Sequence, residues 1–250
     1  MGTLYLVRHG QASFGSDDYD VLSPLGHQQC VRLGEYFDYK GIRFEAALTG
    51  TLNRQRQTLA GICEGMGVEF ESGRSAGPPQ ARPAPSGGSA VREATSVGAH
   101  LLWPGLNEYD SAAVIGAIHA GQLAKADTPE LYKNHFRLLK AGLAQWMAGA
   151  ASPRGMPSHA GFVAGVTSAL AHVCSHYDGH VLLVSSGGPI ATAVGHVLGL
   201  DAQTTIELNM GIRNTAVTEF AFNPRRCRLL TYNTLPHLDA PDYAGWVTYA

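Results

Sequence analysis

At 250 residues the chain is long enough for one large domain, or for a core carrying a substantial insertion. Hydrophobic residues make up 45% and charged residues only 15%, with a formal net charge of -2; this supplies a sizeable core and excludes a broad nucleic-acid surface, which needs clustered Lys and Arg. No apolar run is long enough to span a membrane.

The first predicted element is a short buried strand, Thr3–Val7, and Arg8-His9-Gly10 follows it directly. The apolar start also reads as the absence of a signal peptide. A helix is predicted over Ser23–Phe37, with Ser23 as N-cap and Pro24 at the first position. Ala46–Thr49 reads as a second strand, Gly50–Asn53 as a turn, and Arg54–Cys63 as a helix. The stretch from about 72 to 98 carries Gly77-Pro78-Pro79, Pro83-Ala84-Pro85 and Ser86-Gly87-Gly88-Ser89, a composition that buries little, so a flexible loop is expected there. Residues from about 108 to 177 read as helical, with Thr128-Pro129-Glu130 opening one helix and Ser158 another. This helical insertion is expected to cap the strand ends. A third strand, Val181–Val184, leads through Ser185-Ser186-Gly187-Gly188 into a helix, Pro189–Leu198. Two strands close the pattern, Ala216–Phe222 and Cys227–Tyr232.

Three strand–turn–helix units imply a mostly parallel sheet covered on both faces, an α/β protein. In such a sheet, ligands bind beyond the carboxyl ends of the strands. His9, Arg54 and the Ser-Gly turn therefore converge on one edge although they are far apart in sequence. An arginine beside an imidazole there suits an anionic substrate, a phosphate above all. Read singly, each residue has a plainer meaning: His9 a turn histidine, Arg54 an exposed helix residue with Arg56 as its rival, Glu108 a surface carboxylate, Ser186 a residue ahead of a helix. His172, His176 and His180, four apart, invite a metal reading, but solvated imidazoles near a helix end are the preferred one. No Gly-x-Ser-x-Gly elbow, P-loop or dinucleotide fingerprint is present. The four cysteines, Cys30, Cys63, Cys174 and Cys227, form no Cys-x-x-Cys pair and lie in apolar segments, the pattern of reduced thiols in a cytoplasmic protein.

Taken in order, the motifs resemble the histidine phosphatase superfamily, the phosphoglycerate mutase-like family. Leu6-Val7-Arg8-His9-Gly10 matches its opening, and Leu22-Ser23-Pro24-Leu25-Gly26-His27-Gln28-Gln29 its Leu-x-x-x-Gly-x-x-Gln helix start. Leu52-Asn53-Arg54-Gln55-Arg56-Gln57-Thr58 matches Leu-x-Arg-x-x-Gln-Thr, and Leu106-Asn107-Glu108 matches Leu-x-Glu. Val184-Ser185-Ser186-Gly187-Gly188 nearly matches strand-Ser-His-Gly-Gly. The resemblance implies a three-layer αβα domain with a helical cap. It implies that His9 attacks phosphorus, that Glu108 acts as general acid and base, and that Arg8, Arg54, Ser186 and Gly187 hold the phosphoryl oxygens. It implies a small phosphorylated substrate, no cofactor and no metal. Neither nucleic acid nor membrane is an expected partner, and the oligomeric state, a homodimer among the options, is left open.

Three departures stand out. Ser186 occupies the position of the family's second histidine, and Ala12 and Gly15 stand where Thr and Asn are usual, with Ser13 as a replacement hydroxyl. Losing one charge-assisted bond costs roughly 1.5–3 kcal/mol if nothing compensates. If the missing imidazole limits the rate, Ser186→His speeds turnover. The leading function is thus phosphate-monoester hydrolysis through phospho-His9. The alternatives are a mutase-like phosphotransferase and a phospholigand-binding protein with weakened or lost catalysis.

Overall fold

The computed structural model describes residues 1–12, 20–71, 95–121 and 128–249. In chain order these form β1 (Gly2–Arg8), α1 (Pro24–Tyr39), β2 (Phe44–Thr49), α2 (Asn53–Met66), β3 (Val68–Glu71), β4 (Thr95–Leu102), α3 (Ser111–Gly116), α4 (Pro129–Met147), α5 (His159–His176), β5 (His180–Ser185), α6 (Gly187–Leu198), α7 (Ala202–Gly211), β6 (Val217–Asn223) and β7 (Arg226–Thr234). The strands make one sheet in the order β3-β4-β2-β5-β1-β6-β7. Neighbours run parallel from β3 to β1, and β6 runs antiparallel to both β1 and β7. The mostly parallel α/β sheet expected from the sequence is the one observed.

Period-two alternation in β1 divides the core. Tyr5 and Val7 face α1 and α2, where they meet Leu33, Phe37, Leu59 and Ile62. Leu4 and Leu6 face the opposite way and join a larger cluster with residues of α3, α4, α5, α6 and α7. Phe37 and Leu33 are fully buried, and each such side chain contributes about 1.5–3 kcal/mol relative to exposure. The helices between residues 108 and 177 share this second cluster: α4 packs on α3, α5 and α7.

The flexible loop expected over about 72–98 falls outside the described residues as far as 94, and its last four residues belong to β4. Gly98 and His100 interrupt the apolar pattern of this strand, so it carried no clear strand signal. Gly98 adopts a left-handed φ of 116°, and a Cβ there would come within 2.1 Å of the Glu45 carbonyl on the adjacent strand. The short β3 and the helix α7 were likewise not expected. Ser13 and Gly15 lie outside the described residues.

Candidate active site

Four adjacent parallel strands, β4, β2, β5 and β1, release their chain at the same edge of the sheet. His9 follows β1, Arg54 opens α2 after β2, Ser186 follows β5, and Glu108 comes six residues after β4. The β1–β5 register pairs Arg8 with Ser185, and the His9 amide donates to the Ser185 carbonyl at 2.9 Å. His9 and Ser186, 177 positions apart, are therefore next to each other.

His9 is 3% exposed. Its Nδ1 lies 2.8 Å from the Gly10 carbonyl oxygen. A carbonyl only accepts, so Nδ1 carries the proton and Nε2 keeps its lone pair. Burial, then the charges of Arg8 and Arg54, hold the imidazole well below its usual value of 6.5, so it is neutral at pH 7. A neutral ring with Nε2 bare is the form a nucleophile needs.

Two guanidinium groups accompany it. Arg8 is 6% exposed and donates through Nη1 to the Ile212 carbonyl. Arg54 is 7% exposed, and its Nη1 donates to Asp20 Oδ1 at 2.8 Å. Asp20 has a second task. Leu52 is the N-cap of α2 and has no side-chain acceptor, so the Asp20 carboxylate takes the Asn53 amide at 2.8 Å and the Arg54 amide at 3.4 Å. Sequence reading did not find Asp20; an N-cap leucine, which leaves the first amides to an outside acceptor, was the available signal.

Glu108 is partly buried beside the start of α6. Its Oε2 accepts from the Gly188 amide at 3.1 Å and its Oε1 from the Tyr109 amide at 3.2 Å. Burial raises its pKa above the ordinary carboxyl range, against the opposing pull of the Gly188 amide, Arg54 and Arg8. Burial is thus the cause of the shift, and the neighbouring positive charges oppose it. A Cβ on Gly188 would stand 2.3 Å from Glu108 Oε1 and 2.5 Å from the Tyr109 ring, so only glycine admits this approach.

Ser186 is fully buried, and its hydroxyl accepts from Gln55 Nε2 at 2.9 Å. The same Nε2 donates to the Leu106 carbonyl at 2.9 Å, which also accepts the Ser185 hydroxyl at 2.7 Å. Gln55 thus ties α2 to the Ser186 turn. Accepting from Gln55 leaves the Ser186 proton for a further acceptor. Gly187 follows as the first residue of α6, buried.

The model of the histidine phosphatase superfamily (branch 1) matches residues 4–74 and 107–235. The chain belongs to the histidine phosphatase superfamily. It is 34% identical over 73 residues to a 2,3-bisphosphoglycerate-dependent phosphoglycerate mutase of Chelativorans sp., covering 27% of this chain and 35% of that one. It is 34% identical over 64 residues to a broad-specificity phosphatase of Saccharomyces cerevisiae, covering 23% of this chain and 27% of that one. The matched stretch thus spans about a third of these curated relatives. A mutant phosphoserine phosphatase of Entamoeba histolytica bound to phosphoserine superposes with a TM-score of 0.59 at 18% identity, over 95% of this chain and 100% of that one. A mycobacterial glucosyl-3-phosphoglycerate phosphatase gives 0.59 at 19%, over 94% and 99%. At these identities the two structures establish a shared fold, that of histidine phosphatase-type enzymes.

The three spaced histidines do not gather. His172 and His176 stack with ring centroids 4.1 Å apart, whereas His180 packs edge-on against Tyr5. Among the described residues no group of three or more His, Cys, Asp or Glu side chains is placed to hold a metal, and no helix is long and apolar enough to cross a membrane.

Proposed function

We propose that this histidine phosphatase superfamily member hydrolyses small phosphate monoesters through a phosphohistidine on His9. The observation that carries the reading is the His9 Nδ1 contact with the Gly10 carbonyl, which leaves Nε2 as the free nucleophile. His9 Nε2 attacks phosphorus, the bond from phosphorus to the leaving oxygen breaks, and Glu108 gives that oxygen its proton. Water then attacks the phosphohistidine while Glu108 takes a proton from it, the P–N bond breaks, and its electron pair returns to the imidazole. Arg8 and Arg54 spread charge over the equatorial oxygens, with Ser186 and the Gly187 amide as neutral donors.

Hydrolysis is favoured over phosphoryl return by what lies on the Glu108 side. The acid must face the leaving oxygen, so the leaving group extends past Glu108 towards Gly188 and Tyr109. There a small crevice is lined by Tyr109, Trp146 and Phe162 together with the polar His159, Thr192 and Asn209, with no Lys or Arg among the described residues that line it. Such walls suit an uncharged alcohol with an apolar or aromatic part rather than a second phosphate.

Inorganic phosphate release from aryl, alkyl and phosphoglycerate monoesters, wild type beside His9→Ala, tests this. Release from aryl esters that vanishes in His9→Ala, with an acid-labile phosphohistidine trapped in the wild type, is the expected result. An isomerised phosphoester without free phosphate would mean a mutase. Phosphate binding with no release by wild type would mean a binding protein.

A further inference from the structure

The polypeptide beyond β7 returns to the turn that carries His9. The turn's two peptide planes are held by side chains. In the first, the His9 carbonyl accepts Asn214 Nδ2 at 3.2 Å and the Gly10 amide donates to Thr58 Oγ1 at 3.0 Å. In the second, the Gly10 carbonyl faces His9 Nδ1, and the Gln11 amide donates to Gln29 Oε1 at 2.9 Å. Asn214 and Gln29 come from different parts of the fold, and each is buried, at 1% and 0% exposure. One residue joins them. Thr248 Oγ1 donates to Asn214 Oδ1 at 3.0 Å and accepts from Gln29 Nε2 at 2.9 Å. Backbone bonds fasten the same segment: the Asn214 amide donates to the Thr248 carbonyl at 3.0 Å, and Gln29 Nε2 to the Trp246 carbonyl at 2.6 Å.

These bonds close a ring: His9, Asn214, Thr248, Gln29, Gln11 and back through Gly10 to His9. We infer that Thr248 is a positioning residue for the candidate nucleophile, holding the Gly10 carbonyl towards Nδ1 and thereby fixing the His9 tautomer. The inference rests on the proposed role of His9. A peptide plane held on one side only can rotate; held on both, it keeps its carbonyl direction. Both planes of this turn are held on both sides, and the Asn214 and Gln29 side chains that hold them share the one hydroxyl of Thr248, Gln29 having the Trp246 carbonyl besides. A threonine hydroxyl donates once and accepts at its lone pairs, so it serves both partners at the same time. Hydrogen-bond chains of this kind polarise one another and lose more than one bond when a member is removed.

The test compares Thr248→Val, which keeps the shape and removes both hydroxyl bonds, with Thr248→Ser, which keeps them. In protein labelled with 15N-histidine, the ring nitrogens of His9 are identified by their absence from His9→Ala. Wild type and Thr248→Ser are expected to show Nδ1 protonated and Nε2 bare. Thr248→Val is expected to show loss of that single tautomer, with kcat for phosphate release down about tenfold and KM unchanged. Gln29→Met opens the ring from α1 and gives the same two readouts should the valine variant not fold. Unchanged His9 nitrogens in folded Thr248→Val overturn the inference, whatever the rate does. Loss of the tautomer with full turnover keeps the positioning but overturns His9 as nucleophile. If wild type releases no phosphate, the nitrogen spectrum alone decides.

Discussion

The Gly188 amide donates to Glu108 Oε2 at 3.1 Å, so the carboxyl proposed as acid is seated on the first turn of α6. That turn follows Ser186, which stands beside His9. Nucleophile and acid are thus set by the two ends of one short connection from β5 into α6.

Gly188→Ala places a methyl 2.3 Å from Glu108 Oε1 and 2.5 Å from the Tyr109 ring. The carboxyl has to move away from the leaving oxygen. Turnover should fall by about a hundredfold, within the range for a misplaced acid, while the thermal midpoint drops modestly. Initial rates and a melting curve on the same preparation check this; wild-type turnover would mean that Glu108 is not the acid.

The pH profile follows from two opposite shifts. His9 is held well below 6.5 by burial and two arginines, so protonation of the nucleophile limits the rate only at clearly acid pH. Glu108 is raised by burial, and hydrolysis needs it protonated first, so the rate should fall as pH rises through its pKa. The optimum for kcat/KM should therefore lie on the acid side of neutrality, with an alkaline limb that disappears in Glu108→Gln as the overall rate drops. A profile flat from pH 5 to 8 would remove Glu108 from the proton transfer.

Ser186→His was expected from the sequence to speed turnover if the missing imidazole limits the rate. The packing reverses that expectation. Ser186 and Gln55 are both 0% exposed and share a 2.9 Å hydrogen bond, so an imidazole at 186 must displace the Gln55 amide. Overpacking of this kind costs about 1–3 kcal/mol. The single variant should be slower and less stable, and Gln55→Ala combined with Ser186→His should recover part of both losses. Rates and unfolding midpoints of the double-mutant cycle decide; a faster single variant would refute the displacement.

His237 gives an acid-stability prediction. It is 2% exposed, its Nε2 lies 2.9 Å from Thr215 Oγ1, and burial lowers its pKa to about 3. Between pH 6.5 and 3 the unfolded chain takes up a proton there that the folded chain does not. Stability should therefore fall with decreasing pH by about 1.4 kcal/mol per unit from this residue alone. His237→Gln, with no titrating ring, should lose that slope; denaturant unfolding at pH 4.5 and 7 measures it. The same residue supports Thr215, a non-glycine at a φ of 53° whose amide caps the Arg8 carbonyl at 3.1 Å, so His237→Gln should also slow turnover slightly.

Five of the seven described strands and the order of the motifs were legible in the sequence, because both are written in short-range patterns, whereas β3 and β4 were not. Thr3–Val7 alternates between two cores, Ser23-Pro24 starts a helix, and His9, Arg54 and Ser186 each follow a strand that periodicity reveals. All three stand just past the carboxyl ends of parallel strands. Tertiary structure decided what surrounds them. Asp20 serves α2 and Arg54 across more than 30 positions, Gln55 reaches Ser186 across 131, and Gln29 reaches Thr248 across 219. A local pattern can show that a partner is needed, as the N-cap Leu52 does, but not which residue supplies it, because each pair is made by packing elements far apart in the chain. The pKa shifts of His9 and Glu108 belong to the same class: the residue types set what can titrate, and burial, a property of the assembled fold, sets where.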